Sequence, residues 1–293
     1  MNQPAEVQKV SVVIPAYNEE AAIGEDIEDV RRAMKDAGYD YEILVVNDGS
    51  KDRTAEIAGQ HGATVINHHE NKGVGAARKT GIKKAAGEII VMLDGDGTYP
   101  PRHIPEILSY MDRCDMCVGD RSREAGTMKI LRGTAKWIIR HIASYITGKK
   151  IYDLNSGMRA FYKETAMKYF NILPAGHSWV STITIAYLAS GMTVKYIPID
   201  YNPRKGKSTF HPLSDTLQYL GLVFRTVMYF NPLKVFVPLA LIFFGGGAAK
   251  LIWEGPIQNG PIKESTIILI TFGGLIGVMG LLADLIVKIN RPQ

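Results

Sequence analysis

Apolar and polar positions alternate along the first hundred residues in the order expected for strands followed by helices. Four β-branched runs predict strands, at 10–14, 41–46, 63–67 and 88–93. Apolar residues at helical spacing predict helices between them, over 19–37, 54–60 and 73–86. Alternating strands and helices predict an α/β fold whose sheet is mostly parallel and covered by helices on both faces.

Two long apolar stretches follow near the C-terminal end. Residues 235–253 contain one charged residue, Lys250, and residues 265–287 contain one, Asp284. Each stretch is long enough to cross a bilayer, which takes roughly 20 apolar residues. The pattern predicts a two-helix transmembrane hairpin, with a buried helical hairpin as the alternative.

Charge is distributed unevenly along the chain. The formal net charge is +5, and residues 121–150 contain eight Lys or Arg against one Glu. Such a basic segment suits phosphate groups or an anionic membrane face. Nucleic acid is the rival partner, but no helix-turn-helix, zinc finger or aromatic RNA-binding signature accompanies the basic residues. We therefore expect no nucleic-acid partner.

Basic residues also flank the two apolar stretches. The connecting segment 254–264 contains two acidic residues and one Lys, whereas the outer flanks carry Arg225, Lys234, Lys288 and Arg291. The positive-inside rule predicts an integral protein of the cell membrane with both termini and the large domain in the cytoplasm. Glycines at 245–247, 273, 274 and 277 offer surfaces for close helix packing, within the hairpin or between protomers.

Two further helical patterns lie between the α/β part and the hairpin, at 130–146 and 213–230. Both suit either core-facing helices or helices in the membrane interface. We favour the interface for 213–230 and leave 130–146 open. The predicted domains are an α/β domain over 1–212, a juxtamembrane interface helix over 213–231 and the hairpin over 232–293.

Three polar clusters follow predicted strands, at 17–19, 48–50 and 94–96. Ligands of parallel sheets bind at the carboxyl ends of the strands, so these clusters predict one shared site. Asp94 and Asp96 are separated by Gly95, and two carboxylates in such a turn suit Mg²⁺ or Mn²⁺ together with phosphate oxygens. An Asp-Gly turn without metal is the alternative.

Other residues of these clusters have two interpretations each. Asp48 could accept hydrogen bonds from a nucleobase or ribose, or cap the helix that begins near Lys51. Tyr17 could stack on a base or pack in the core. Lys72 precedes a helix whose N-terminus can bind an anion. Cys114 and Cys117 have CxxC spacing, but a structural zinc site needs four ligands, so we expect buried thiols.

Five motifs together resemble a known family. Residues 15–19, 47–50, 71–73, 94–96 and 153–157 follow in the order seen in family 2 glycosyltransferases of GT-A fold. The chain is most similar to the polyprenyl-phosphate sugar synthases over about 8–230, and its two spans look like those of membrane-anchored members. The resemblance implies a Rossmann-like GT-A sheet and inverting transfer of one hexose from a nucleotide sugar to undecaprenyl or dolichyl phosphate.

The resemblance also implies roles for individual residues. It assigns the nucleoside to Pro15, Tyr17, Glu19 and Asp48, and the diphosphate with its Mg²⁺ or Mn²⁺ to Asp94 and Asp96. On the acceptor side it assigns the lipid phosphate to Arg121 and Arg132, with Ser156 in the neighbouring loop. Arg204 and Lys207 resemble the mobile loop that closes over the diphosphate. Lys72 completes the donor side, and Asp96, Arg121, Arg132 and Arg204 are the predicted catalytic residues.

Two features of processive relatives are absent here, which bears on the acceptor, and one residue differs from the family pattern, which bears on the metal. No acidic residue lies between Glu164 and Asp200, and the Gln-x-x-Arg-Trp motif of processive relatives is missing. A sugar hydroxyl acceptor needs a base, whereas a phosphate monoester is already ionised at neutral pH. Many relatives carry Gln where this chain has Thr98.

The two absences favour polyprenyl phosphate as acceptor. The hairpin-anchored relatives that the chain resembles often use UDP-glucose, so the resemblance favours UDP-glucose as donor, with GDP-mannose left open. A processive membrane polysaccharide synthase and a non-catalytic nucleotide-sensing membrane scaffold are the alternatives. The anchored relatives that the chain resembles also imply a homo-oligomer, and a tetramer is one such form.

Overall fold

The computed structural model describes residues 9–121, 144–145, 148–176, 178–205, 221, 228–258 and 260–290. The chain divides into two compact units, Met1–Val223 and Phe224–Gln293. The predicted helices at 130–146 and 213–230 lie almost wholly outside the described residues, and so do Arg132 and Lys207.

The described part of the first unit contains a seven-stranded sheet with the order β3-β2-β1-β4-β6-β5-β7. Strands β1 to β4 pair in parallel, as do β5 and β7, whereas β6 is antiparallel to both β4 and β5. The mostly parallel α/β sheet is therefore confirmed. The strands are β1 Val10–Ala16, β2 Tyr41–Asn47, β3 Thr64–Asn67, β4 Ile89–Met92, β5 Met116–Asp120, β6 Arg159–Tyr162 and β7 Val194–Pro198.

Helices cover both faces of this sheet. Val12 and Ile14 of β1 face a buried cluster that includes Ile27 of α1 and Ile107 of α4. Val13 points to the opposite face, where it packs closely against Gly81 of α3. The helices of this unit are α1 Ile23–Asp36, α2 Thr54–Gln60, α3 Val74–Lys84, α4 Ile104–Leu108, α5 Lys163–Met167 and α6 Trp179–Ala189, with a 3₁₀ turn at Pro101–His103.

Strand β1 continues through Pro15 to Ala16, two residues beyond the predicted end at residue 14. Ala16 accepts a hydrogen bond from the Asp48 backbone amide of the β2 side at 2.9 Å. Pro15 therefore turns its nitrogen to the β4 side, where the regular pairing with β1 ends at Val13 and Met92. Proline is tolerated in this strand because no ladder bond is needed at that position.

The antiparallel strand β6 decides which loop meets the end of β4. Arg159 pairs with Met92, so the residues just before β6 run past the residues just after β4. This register places the 153–157 loop beside Asp94. A side chain at Gly157 would have its Cβ 2.4 Å from Asp94 Oδ2, so only glycine fits this contact.

Cys114 and Cys117 are free, buried thiols, as expected. Cys117 lies in β5 and belongs to the core beneath the sheet. Cys114 belongs to the same core.

The second unit is a helical hairpin. Helix α7 spans Leu233–Ile252 and continues as a π-helix over Trp253–Ile257, and helix α8 spans Glu264–Asn290. Both are long and apolar enough to cross a membrane. The buried Glu254 carboxylate accepts hydrogen bonds from Thr266 Oγ1 at 2.6 Å and from the Lys263 amide at 3.0 Å, which ties the ends of the two helices together.

The glycines of this hairpin fall into two groups. A Cβ at Gly273 would lie 2.6 Å from the backbone nitrogen of Phe244, so Gly273 lies in the contact between α7 and α8. A Cβ at Gly274 would meet nothing within 4 Å, and the same is true of Gly245 and Gly246. The hairpin therefore uses one set of glycines for its own packing.

Gly273→Ala should destabilise the hairpin by about 1–3 kcal/mol, because the methyl group would collide with backbone that cannot move cheaply. Gly274→Ala is the matched control and should be neutral or slightly stabilising, since alanine favours helix more than glycine does. The measurement is SDS-induced unfolding followed by circular dichroism. Equal midpoints for the two variants would contradict this packing.

Candidate active site

The three polar clusters lie at one edge of the sheet because β1, β2 and β4 are parallel and end there. Asn18 links the first two clusters. Its backbone amide donates to Ser50 Oγ at 3.0 Å, and its side-chain Oδ1 accepts from the Lys51 backbone amide at 2.8 Å. Asn18 adopts a left-handed conformation with φ 56° to make these bonds. Pro15 is buried beneath this edge and Tyr17 is half-buried on it.

Asp48 is almost fully buried, and its carboxylate already has partners. It accepts hydrogen bonds from the Lys72 and Gly73 amides at 3.0 and 2.8 Å, and it pairs with His68 Nδ1 at 2.6 Å. The structure thus uses Asp48 to hold the segment that leads into α3. The alternative in which Asp48 caps α2 is wrong, because Asp52 accepts the Thr54 amide there at 3.0 Å.

Asp96 and Glu19 share one cation, Arg204. One guanidinium nitrogen lies 3.3 Å from Asp96 Oδ2, and another donates to Glu19 Oε1. The other Asp96 oxygen accepts the Thr98 hydroxyl at 2.5 Å. The Lys205 amide also donates to the Asp96 carbonyl at 3.1 Å, which holds the Arg204 segment beside the Asp94–Asp96 turn.

This acidic edge resists ionisation. Burial raises the pKa of Glu19 to about 8; Arg204 opposes the rise, and Asp96, Asp94 and Asp26 add to it. Burial, and then the charge of Asp94, also raises the pKa of Asp96. A positive charge at this edge would relieve the repulsion among these carboxylates.

Asp26 of α1 belongs to this edge although the sequence analysis missed it. Its buried carboxylate accepts the Gly97 amide at 3.0 Å, and burial raises its pKa to about 7. The available signal was an acidic residue on the apolar stripe that contains Ile23, Ile27 and Val30. Arg78 and His68 were missed as well, because nothing in their local pattern marks them.

The opposite side of the edge carries Arg121. Its Nε and Nη2 donate to the two oxygens of Asp153 at 2.7 and 3.0 Å, and its guanidinium lies 5.1 Å from the centre of the Tyr201 ring. Burial would raise the pKa of Asp153, but its bonds with Arg121 outweigh burial and hold the pKa below its usual value. Tyr201 contacts the Tyr99 ring edge-on at 5.2 Å.

Ser156 is fully buried in the 153–157 loop, and its hydroxyl has no partner among the described residues. The Gly157 amide donates to the Tyr99 hydroxyl at 2.7 Å. The structure thus brings together most of the predicted site residues that it describes. Lys72 is the exception in one respect: its side chain is exposed, and its contact with Asp48 comes from its backbone amide.

Two family models match this chain. Residues 11–170 match the model described as glycosyl transferase family 2, and residues 231–289 match the GtrB C-terminal hairpin. The chain belongs to glycosyl transferase family 2. It is a glycosyltransferase, and the hairpin match together with the two apolar helices identifies it as a membrane-anchored one.

Several individual proteins are similar to this chain. A dolichyl-phosphate hexose transferase of Haloferax volcanii is 32% identical, over 70% of this chain and 88% of the relative. A dodecaprenyl-phosphate galacturonate synthase of Rhizobium johnstonii is 26% identical, over 98% of this chain and 90% of the relative.

A solved structure supports the fold. Glucosyl-3-phosphoglycerate synthase of Mycobacterium tuberculosis, in complex with Mg²⁺ and UDP, superposes with a TM-score of 0.62 at 18% identity, over 75% of this chain and 79% of that one. This likeness confirms the GT-A-type fold expected from the motifs.

Asp26→Asn should stabilise the protein increasingly as the pH rises. The pKa of Asp26 is about 7 in the folded state against an ordinary 3.8, so its ionisation opposes folding progressively between these values. The gain should be absent near pH 3.5 and reach on the order of 2 kcal/mol above pH 7. Thermal unfolding without metal or nucleotide measures it.

Asp29→Asn is the control, because Asp29 lies on the same helix with its side chain 38% exposed. The gain expected above pH 7 for Asp26→Asn should be missing from Asp29→Asn, because a partly exposed carboxylate keeps its contact with water. A pH-independent effect of Asp26→Asn would refute the burial argument.

Proposed function

We propose that this protein transfers one hexose from a nucleotide sugar to polyprenyl phosphate, with inversion at the anomeric carbon. Support comes from the relatives named for polyprenyl-phosphate chemistry, one of which aligns with 98% of the chain. The acceptor side of the site is consistent with this, since Arg121, with its side chain 16% exposed, lies over the Tyr201 ring, which in turn contacts Tyr99.

The observation that carries the proposal is the missing base. No Asp or Glu occurs between Glu164 and Asp200, and Asp153, the one carboxylate bonded to Arg121, is engaged by both its oxygens. A phosphate monoester has a second pKa near 6, so it attacks without losing a proton to the enzyme. A hydroxyl acceptor would need a base that the chain does not supply here.

The donor-side residues fit Mg²⁺ or Mn²⁺. Asp96 Oδ2 faces Arg204 across 3.3 Å, and no group of three or more His, Cys, Asp or Glu side chains that could hold a metal occurs among the described residues. Mg²⁺ commonly binds through one or two carboxylates and completes its shell with substrate phosphates and water. Asp96, with Asp94 beside it, would hold the ion, which would neutralise the charge of the leaving diphosphate.

The chain's own residues then act on the lipid phosphate and on the diphosphate of the donor. In the proposed reaction an oxygen of the lipid phosphate forms a bond to the anomeric carbon, and the bond to the nucleotide breaks with its electron pair on the diphosphate oxygen. Arg121 would orient the attacking phosphate. Arg204 would release Glu19 and Asp96 and, together with Lys207, stabilise the departing diphosphate. Arg132 would bind the lipid phosphate together with Arg121.

The donor nucleoside would bind at the β1 and β2 ends, near Pro15, Tyr17, Glu19 and Asp48. UDP-glucose is the favoured donor, and GDP-mannose is the alternative that the assay below separates. The flanking basic residues support a cytoplasmic active site on the cell membrane. Gly245, Gly246 and Gly274 meet no atom of their own hairpin, which supports assembly of several hairpins, four being one arrangement.

Purified protein in lipid nanodiscs should convert polyprenyl phosphate and a labelled nucleotide sugar into a lipid-linked monosaccharide. UDP-glucose and GDP-mannose are tested in separate reactions, with products resolved by mass spectrometry. The unphosphorylated polyprenol should not react, because no base is available for its hydroxyl. A labelled polymer, or equal reaction of the alcohol, would refute the proposal. Asp96→Ala serves as the folded, inactive control.

Arg121→Gln should raise the KM for polyprenyl phosphate by about 10- to 100-fold, the value of a charged hydrogen bond of about 1.5–3 kcal/mol. The KM for the nucleotide sugar should change little, because Arg121 lies on the acceptor side. Arg132→Ala should behave alike. Arg102→Gln is the matched control, since Arg102 is 66% exposed and pairs with Asp200. Equal effects of Arg121→Gln on both substrates would argue against acceptor binding.

A further inference from the structure

Arg78 of α3 is a buried arginine that bonds directly to a carboxylate of the candidate site. Its Nη2 lies 2.7 Å from Asp94 Oδ1, and its side chain is only 4% exposed, against 30% for that of Asp94. Arg78 therefore approaches Asp94 from the protein interior, while part of Asp94 faces the open edge of the sheet.

Hydrogen bonding among the described residues accounts for only one nitrogen of the Arg78 guanidinium. Nε and Nη1 are buried and have no hydrogen-bond partner among the described residues. The guanidinium lies over the Trp179 ring, 5.7 Å from its centre. A buried guanidinium with free N–H groups opposes folding, so an apolar residue would serve the core better. Such violations of packing rules are typical of functional positions.

Asp94 is also restrained from a second direction. Gly157 packs so closely that a Cβ there would lie 2.4 Å from Asp94 Oδ2, and the Gly157 amide is fixed by the Tyr99 hydroxyl at 2.7 Å. One oxygen of Asp94 is thus bonded to Arg78, and the carboxylate rests against a glycine that cannot yield to it. Together these contacts restrict how the carboxylate can turn.

We propose that Arg78 is a positioning residue, which fixes the orientation of Asp94 for binding of the donor's diphosphate and its divalent metal. The inference rests on the proposed function, since it presumes that Asp94 serves that site. Without Arg78, Asp94 would keep only the contact with Gly157 and the repulsion of Asp96, and it would turn away from the edge.

The sign of the effect separates positioning from simple electrostatics. Removing a cation 2.7 Å from Asp94 Oδ1 would tighten Mn²⁺ binding if charge alone mattered. A positioning role predicts the opposite, weaker binding. A structural role predicts a lower unfolding temperature with unchanged binding. These three outcomes are measurably different.

The test is a double-mutant cycle with Arg78→Met and Asp94→Asn in the full-length protein. Binding of Mn²⁺ in the presence of UDP, and separately of GDP, is followed by the loss of the free Mn²⁺ electron paramagnetic resonance signal. Arg78→Met should weaken binding at least tenfold in the unaltered background and less than twofold in the Asp94→Asn background. Arg78→Lys should restore part of the loss, because it returns one donor but not the planar fork.

Lys79→Met is the matched control: it removes one positive charge from the same helix, but its Nζ bonds the Leu173 carbonyl at 2.7 Å rather than a carboxylate. It should leave Mn²⁺ binding unchanged. Tighter binding by Arg78→Met, or equal losses in both backgrounds, would overturn the inference. If Asp94→Asn weakens binding and Arg78→Met does not, the inference fails while the donor site stands. Normal binding by Asp94→Asn would overturn both.

If Arg78→Met does not fold, Arg78→Lys carries the test alone. It should bind Mn²⁺ less tightly than the unaltered protein only when Asp94 is present. An unfolding temperature that falls without this dependence on Asp94 would overturn the inference.

Discussion

Burial of several carboxylates near the carboxyl ends of β1 and β4 is the constraint on which the rest of the site depends. Asp96, Glu19 and Asp26 are each less than a tenth exposed, and burial raises the pKa of each. The protein offsets this charge with two arginines of different kinds. Arg78 comes from the interior and is held by α3, whereas Arg204 comes from a surface segment and bonds Glu19 and Asp96. Arg204 is the more accessible of the two, with its side chain 31% exposed against 4% for that of Arg78.

The antiparallel strand β6 brings a further loop, residues 153–157, to the site. In a fully parallel sheet the loop before a strand lies at the amino end, far from the ligand edge. Because β6 is reversed, the 153–157 loop lies at the carboxyl end of β4, where Asp153 holds Arg121 and Gly157 contacts Asp94. One short loop thus contacts both the carboxylate side and the arginine side. The close fit at Gly157 fixes the distance between them.

Much of this architecture could be predicted from the sequence, and the reasons are local. The first four strands begin and end within about two residues of their predicted bounds, because β-branched runs bounded by polar turns define them. The strand order and the reversal of β6 could not be predicted, since they depend on pairing between distant segments. Asp48, Asp94 and Asp96 stood out as polar residues after strands, but their partners His68 and Arg78 did not, and Arg204 was expected near the diphosphate only through the family resemblance. Those partners are distant in sequence, and only the fold brings them close.

The kind of acceptor decides which side chains the site must supply. A base acts at one atom and must be placed within hydrogen-bond reach of the proton it removes, so its position is tightly constrained. An ionised phosphate acceptor removes that requirement and replaces it with a need for cations that hold two anionic groups near each other. Under the proposed function the described site would meet the second demand: Arg121 bonds Asp153 and lies over the Tyr201 ring, while Arg204 pairs with the Glu19 and Asp96 carboxylates, for which a metal ion would compete. A rigid arginine on one side and an exchangeable one on the other suit a reaction in which the acceptor must be oriented and the leaving group must be released.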